Sequence, residues 1–199
     1  MPRRSQAEAA RTRQAILGRA TALGSLEGLE ALSIGRLADD LGLSKSGVYG
    51  HFGSKENLQL AAVEAAAFRF TQEVWAPAAS RPPGLPRLRA IMDAWLSYLE
   101  RCVFPGGCFL SAASLEFDDR PGPVRDAVAE ALRRWLRVLE EEVATAQAKG
   151  ELDHDLDAGQ FAFQLNAYVM AGNWANQLFG DLAALSASRA AVERLLAEP

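Results

Sequence analysis

Apolar residues recur along the chain at intervals of three and four, and no segment alternates apolar with polar residues as a half-buried strand would. The pattern predicts an all-α protein. Between Ser33 and Lys55, Ile34, Leu37, Ala38 and Leu41 form a stripe at i, i+3, i+4 and i+7, with Ser33 placed to cap that helix and Gly42 to end it. Ser44 opens a second short helix, on which Val48 and Phe52 are spaced to face inward and Lys45, Ser46, Gly47, Tyr49 and His51 outward. Ser54 starts a long helix through Leu58, Ala62, Ala65 and Phe68 to about residue 75, where Pro77 and the SRPPGLP stretch break it. Further helices are expected at about 88–102, 109–117, 123–149, 157–180 and 186–197, divided by the FPGG turn, the DDRPG stretch and Gly150.

Helix, turn and helix within about twenty residues is the size of a helix-turn-helix, whose second helix enters the major groove of DNA. Lys45 and Lys55 both fall in the first turn of a helix, where the macrodipole disfavours a cation and a phosphate would reverse the penalty. The alternative from spacing alone is a small helical hairpin in an ordinary bundle with two solvated lysines. Charge separates along the chain. From Met1 to Lys55 there are eight Lys/Arg against five Asp/Glu, whereas the remainder has thirteen against twenty, so the total of −4 hides a basic start. Arg3, Arg4, Arg11 and Arg13 lead into or lie on the first helix, as a basic arm that follows the duplex; a solvated terminus is the alternative for Arg3 and Arg4.

The segment GLSKSGVYGHFGSKENLQLAAVE, with the preceding SIGRLADDLGL and the basic start RTRQAILGRATAL, closely resembles the N-terminal DNA-binding domain of the TetR (tetracycline repressor) family of bacterial regulators. The tyrosine, the HF pair and the SKE that opens the next helix stand at that family's spacing. The resemblance covers about the first third of the chain. It implies that Lys45, Ser46 and Gly47 face base edges or the groove, that Tyr49, His51 and Lys55 clamp the phosphate backbone, and that Ser33 caps its helix against a phosphate. Ser44, at the start of the recognition helix, completes the expected DNA-binding set. Gly35 departs from the pattern, standing where many members carry a polar or basic side chain.

The resemblance also implies an architecture: residues 1–54 as a three-helix DNA-binding domain and 55–199 as a larger helical bundle that binds a ligand and dimerises. On the 157–180 helix, Phe161, Leu165, Tyr168, Val169, Trp174, Leu178 and Phe179 spread around the circumference, so it needs more than one apolar neighbour. Packing within the subunit and packing against a twin helix both meet that need, and Ala171 and Gly172 would permit close approach. In the family the last two long helices of each subunit form a four-helix dimer interface, which suits a palindromic operator. For the implied sensor, Trp95, Tyr98, Leu99, Phe109, Phe117, Trp135, Phe161, Tyr168 and Trp174 are candidate pocket lining, with Asn166 and Asn173 as polar handles. Aromatic residues at helical spacing also read as packed core. The expected partners are therefore operator duplex, an unidentified small molecule whose binding releases a repressor from DNA, and a second copy of the chain.

Other chemistry finds little support. No charged start precedes an apolar run, so no secretory signal is expected; the uncharged stretch 160–180 is interrupted by Gln164, Asn166, Asn173, Asn176 and Gln177, so no membrane span is expected and the cytoplasm is the expected compartment. Cys102 and Cys108 flank the FPGG turn without forming a disulfide framework, and no cofactor is expected. Asp153, His154, Asp155 and Asp157 read as a solvated acidic loop rather than a metal site, and Arg120 as a brace beside Asp118 and Asp119. Two competing classes are a small-molecule enzyme, with Glu116 and Asp118 or Asp119 as acid and base, and a helical adaptor using the motif for protein contacts. No glycine-rich phosphate loop, nucleophile with a histidine partner, or carboxylate–histidine metal spacing supports the enzyme.

Overall fold

The computed structural model describes residues 6–197, which form helices and no strands. In chain order these are α1 (Gln6–Glu27), α2 (Ile34–Leu41), α3 (Lys45–Phe52), α4 (Lys55–Phe70), the single-turn α5 (Ala76–Ala78), α6 (Leu85–Glu100), α7 (Phe109–Phe117), α8 (Pro123–Ala148), α9 (Ala158–Phe179) and α10 (Ala183–Ala197). Arg3 and Arg4 lie outside the described residues. The expected helix ends are met within a few residues, with one informative exception. After α4 the chain does not break before Pro77 but widens into a π turn, Thr71–Trp75, where the Ala76 N–H reaches the Thr71 carbonyl, and helical backbone continues to Ala78. Proline has no N–H to give to the preceding turn, and the widened turn lets the chain pass through it.

The chain divides into two compact units. The first runs to Ala67 and also takes in Phe104–Ala129, so it extends well beyond the boundary expected at residue 54. Ile16, Ala20, Leu37, Val48, Phe52 and Leu58 are buried in it. Two arginines brace its short helices. Arg19 Nε donates to Asp40 Oδ2 at 2.8 Å, tying α1 to α2. Arg13 lies 4.6 Å over the Phe52 ring and donates to the His51 carbonyl at 3.3 Å, at the C-terminal end of α3 where a cation is favoured. The 104–129 segment is pressed onto α1: a Cβ at Gly106 would stand 1.7 Å from the Ser25 carbonyl oxygen, and one at Gly24 2.9 Å from the Phe109 ring.

The second unit contains Phe68–Val103 and the chain from Glu130 onward. The open N–H groups at the start of α6 are met by carboxylates: Gly84 N–H donates to Glu142 and Leu85 N–H to Glu151, each at 2.8 Å. Glu142 is buried, and Arg87 balances its charge at 3.1 Å. Helices α9 and α10 pack closely, with Ser188 Oγ donating to the Tyr168 carbonyl at 2.7 Å. A Cβ at Gly172 would sit 2.1 Å from Ser188 Oγ. Gly172 therefore serves the α9–α10 contact within one chain, which corrects the expectation that it admits a twin helix; Ala171 is exposed.

Candidate functional site

The outward ridge of the helix-turn-helix is built by two caps. Ser33 Oγ accepts the Arg36 N–H at 3.1 Å and Ser44 Oγ accepts the Gly47 N–H at 3.0 Å, while Gly42 and Gly53 end α2 and α3 in the left-handed region at φ 62° and 73°. With Val48 and Phe52 buried, Ser44, Lys45, Ser46 and Tyr49 are exposed together on α3, and Tyr49 keeps 56% of its surface in solvent. Gly47 and His51 are half-buried. Ser33, next to α2, is exposed as well. The departure at Gly35 acquires a physical sense here: a Cβ on it would lie 3.3 Å from Lys45 Cε, so the bare backbone of α2 makes room for the lysine stem of α3.

Lys55 opens α4 on the exposed surface, but its ammonium is not idle. Nζ lies 2.7 Å from Glu30 Oε1. The buried Gln59 amide donates to Glu30 Oε2 at 3.0 Å and to the Leu29 carbonyl at 3.1 Å. The hydrogen bond from Lys55, and then that from Gln59, hold the Glu30 carboxyl below the usual carboxylate range. Behind this loop, Glu116 of α7 accepts the Leu29 N–H at 2.6 Å and the Glu30 N–H at 2.8 Å. Glu30 and Gln59 have no part in the sequence reading. Their roles depend on contacts between segments far apart in the chain, which periodicity does not encode. Glu116, weighed above as an acid or base, has each carboxylate oxygen occupied by a backbone donor, a binding arrangement rather than a catalytic one.

The candidate effector residues are dispersed. Within the second unit, the rings of Trp95 and Trp135 meet edge to face at 4.9 Å, Phe70 lies 4.8 Å from Trp135 and 5.8 Å from Trp95, and Tyr98 is 5.5 Å from Phe70. Leu99 is buried, as is Phe161 on α9. The indole N–H groups of both Trp95 and Trp135 are buried without an acceptor, a state that calls for an explanation in a packed interior. Phe109 and Phe117 belong to the other compact unit, Phe109 beside Phe104 at 5.8 Å and Phe117 beneath Arg120 at 5.6 Å. Asn173 is buried and Asn166 half-buried. Tyr168 and Trp174 are exposed on α9, at 37% and 53%, alongside Phe163, Leu178 and Phe179. They belong to an apolar outer face and not to an enclosed lining.

Among the described residues no group of three or more His, Cys, Asp or Glu side chains is placed to hold a metal ion. Asp153 instead accepts the Asp155 N–H, and Asp157 caps α9 by accepting the Gln160 N–H at 2.7 Å. Cys102 is exposed, Cys108 is buried, and neither is in a disulfide. Arg120 lies 4.0 Å from Asp119. No helix among the described residues is long and apolar enough to cross a membrane.

Two family profiles match the chain. One, described as tetracyclin repressor-like, C-terminal domain, matches residues 84–192, and the other, bacterial regulatory proteins, tetR family, matches residues 16–62. Solved structures share the fold across almost the whole length. A TetR transcriptional regulator from Chloroflexus aurantiacus is 27% identical, with a TM-score of 0.86 over 96% of this chain and 95% of that one. A TetR-family regulator from Cytophaga hutchinsonii is 23% identical, with a TM-score of 0.83 over 98% and 97%. AibR, solved in complex with isovaleryl coenzyme A and operator DNA, is 23% identical, with a TM-score of 0.74 over 94% and 98%. No curated protein sequence matches the chain.

Proposed function

The chain belongs to the TetR family of DNA-binding transcriptional regulators, and we propose that it is a homodimeric repressor that a small molecule releases from a palindromic operator. The observation that carries this reading is the ridge on α3, where Ser44, Lys45, Ser46 and Tyr49 stand exposed over buried Val48 and Phe52. In the proposed complex Lys45, Ser46 and Gly47 meet base edges, Tyr49, His51 and Lys55 take backbone phosphates, and the capped turns at Ser33 and Ser44 approach the duplex with their N-terminal dipoles. The apolar face of α9 supports the dimer, because Phe163, Trp174, Leu178 and Phe179 are exposed together on one helix. Two recognition helices about 34–36 Å apart would then read successive major grooves.

The effector is proposed to bind in the second unit, with the Phe70–Trp95–Trp135 cluster as its apolar wall and the two unpartnered indole N–H groups as donors for an acceptor atom. AibR supplies the precedent of a chain of this fold solved with both an acyl thioester and operator DNA. Release follows only if the ligand prefers the state whose recognition helices no longer match the operator. Such a regulator acts where the DNA is, which places it in the cytoplasm, and it has no need of an active site.

The test is a footprint on the DNA upstream of the protein's own gene. Protection of a two-fold symmetric site, lost steeply as salt rises, supports the proposal. Uniform weak binding with no protected site refutes it.

A further inference from the structure

The ion pair between Lys55 and Glu30 sits where two demands on one cation meet. Lys55 is the side chain expected to reach a DNA phosphate from the start of α4, and its Nζ is already 2.7 Å from a carboxylate of the same chain. That carboxylate is held in place from several sides. Glu116 accepts the N–H groups of Leu29 and Glu30, Gln59 directs the second Glu30 oxygen, and the loop between α1 and α2 turns at Gly28 with φ +92°. That backbone conformation strains any L side chain, and a Cβ at Gly28 would stand 2.9 Å from Glu116 Oε1 and push the carboxylate from its place.

We propose that Glu30 is an internal competitor of the DNA backbone for Lys55, and that Glu116 is the positioning residue that keeps it in place. The inference rests on the reading of Lys55 as a phosphate contact. Both partners of the pair are well exposed, Lys55 at 43% and Glu30 at 52% of their side chains, so a phosphate can approach and exchange one charge-assisted bond for another. After the exchange Glu30 keeps the bond from Gln59 but has lost its ammonium partner beside a polyanion. The net effect opposes association with any duplex equally, because a phosphate contact carries no sequence information. It lowers indiscriminate binding and leaves discrimination to the base-facing residues of α3. Because Glu116 lies on α7, a displacement of that helix would loosen Glu30 and change the supply of free lysine at the DNA surface.

The experiment measures fluorescence anisotropy of a labelled duplex of arbitrary sequence, about 30 base pairs long, over about 50 to 200 mM salt. Glu30→Gln is expected to bind about two- to fivefold more tightly than the parent. Lys55→Gln is expected to bind more weakly, with the salt slope reduced by about one. In the Lys55→Gln background Glu30→Gln should gain clearly less, because only its own repulsion of the duplex is then removed. Glu30→Asp, which keeps the charge but shortens the reach, should give a gain of the same sign. Glu116→Gln should reproduce part of the gain in the parent and none in Glu30→Gln, with thermal melting used to verify folding of each variant.

An equal gain from Glu30→Gln with and without Lys55 would overturn the competition, since overall charge would then explain it; so would no gain at all. If Lys55→Gln leaves both affinity and slope unchanged, the phosphate contact itself is wrong. If Lys55→Gln weakens binding while Glu30→Gln does not tighten it, the contact stands and the competition alone fails. A loss from Glu116→Gln that is equal in both backgrounds reduces Glu116 to a brace of the fold and overturns its positioning role.

Discussion

Helices α3 and α9 begin and end by the same devices and present opposite surfaces. Each is opened by a side-chain oxygen, from Ser44 or Asp157, and closed by a left-handed glycine, Gly53 or Gly180. Yet α3 hides Val48 and Phe52 and shows serine, lysine and tyrosine, whereas α9 buries Phe161, Leu165 and Val169 and still shows Phe163, Trp174, Leu178 and Phe179. Short-range chemistry decides where a helix starts and stops; what its outer face carries is set by what must meet it. A polar, cationic ridge suits a hydrated polyanion, and large apolar side chains exposed along one helix suit an apolar partner.

That contrast is open to direct attack. The largest effect is expected from replacing Trp174 and Phe179 together with serine. Sedimentation should show a dimer becoming a monomer, and affinity for a palindromic duplex should fall by about two orders of magnitude or more as the second contact is lost. Tyr49→Ala should weaken binding to all duplexes alike by about tenfold while leaving the melting temperature unchanged; a specific operator affected more than a random duplex would reassign the tyrosine to base reading. Ser44→Ala and Asp157→Ala should each cost about 1 kcal/mol in chemical denaturation, but the first alone should also reduce DNA affinity. Equal effects of the two on DNA binding would erase the distinction between the helices.

The smallest expected effect concerns pH. The Glu30 carboxyl titrates below its ordinary value, chiefly through its bond from Lys55. Its contribution to stability is therefore present above the ordinary carboxylate value and lost as pH falls through the lowered one. Melting curves of the parent and of Glu30→Gln should differ near neutrality and converge in acid.

The helix-turn-helix was readable from sequence because its determinants lie within a few residues of one another: Ser33 with Arg36, Ser44 with Gly47, and the inward pair Val48 and Phe52. The network around Lys55 was not, since Glu30 lies 25 residues away and Glu116 is 86 residues beyond Glu30. Periodicity shows that a helix has an apolar side without showing which neighbour takes it. For that reason periodicity groups Phe109, Phe117, Trp95 and Trp174 as one prospective lining, although they fall in two compact units and Trp174 is exposed. Pro77 illustrates a different limit: a proline marks where regular α-geometry fails, but a π turn carried the helical path past it.

The placement of the tryptophans has a practical consequence. Trp95 and Trp135 are shielded and perpendicular to each other, Trp75 is half-buried beneath Arg87, and Trp174 of a single copy stands in water. Their emission should therefore separate by wavelength, the shielded pair to the blue and the wetted ring to the red. Occupancy of the interior and association of two copies would thus register as different colours in the same cuvette, with no dye attached.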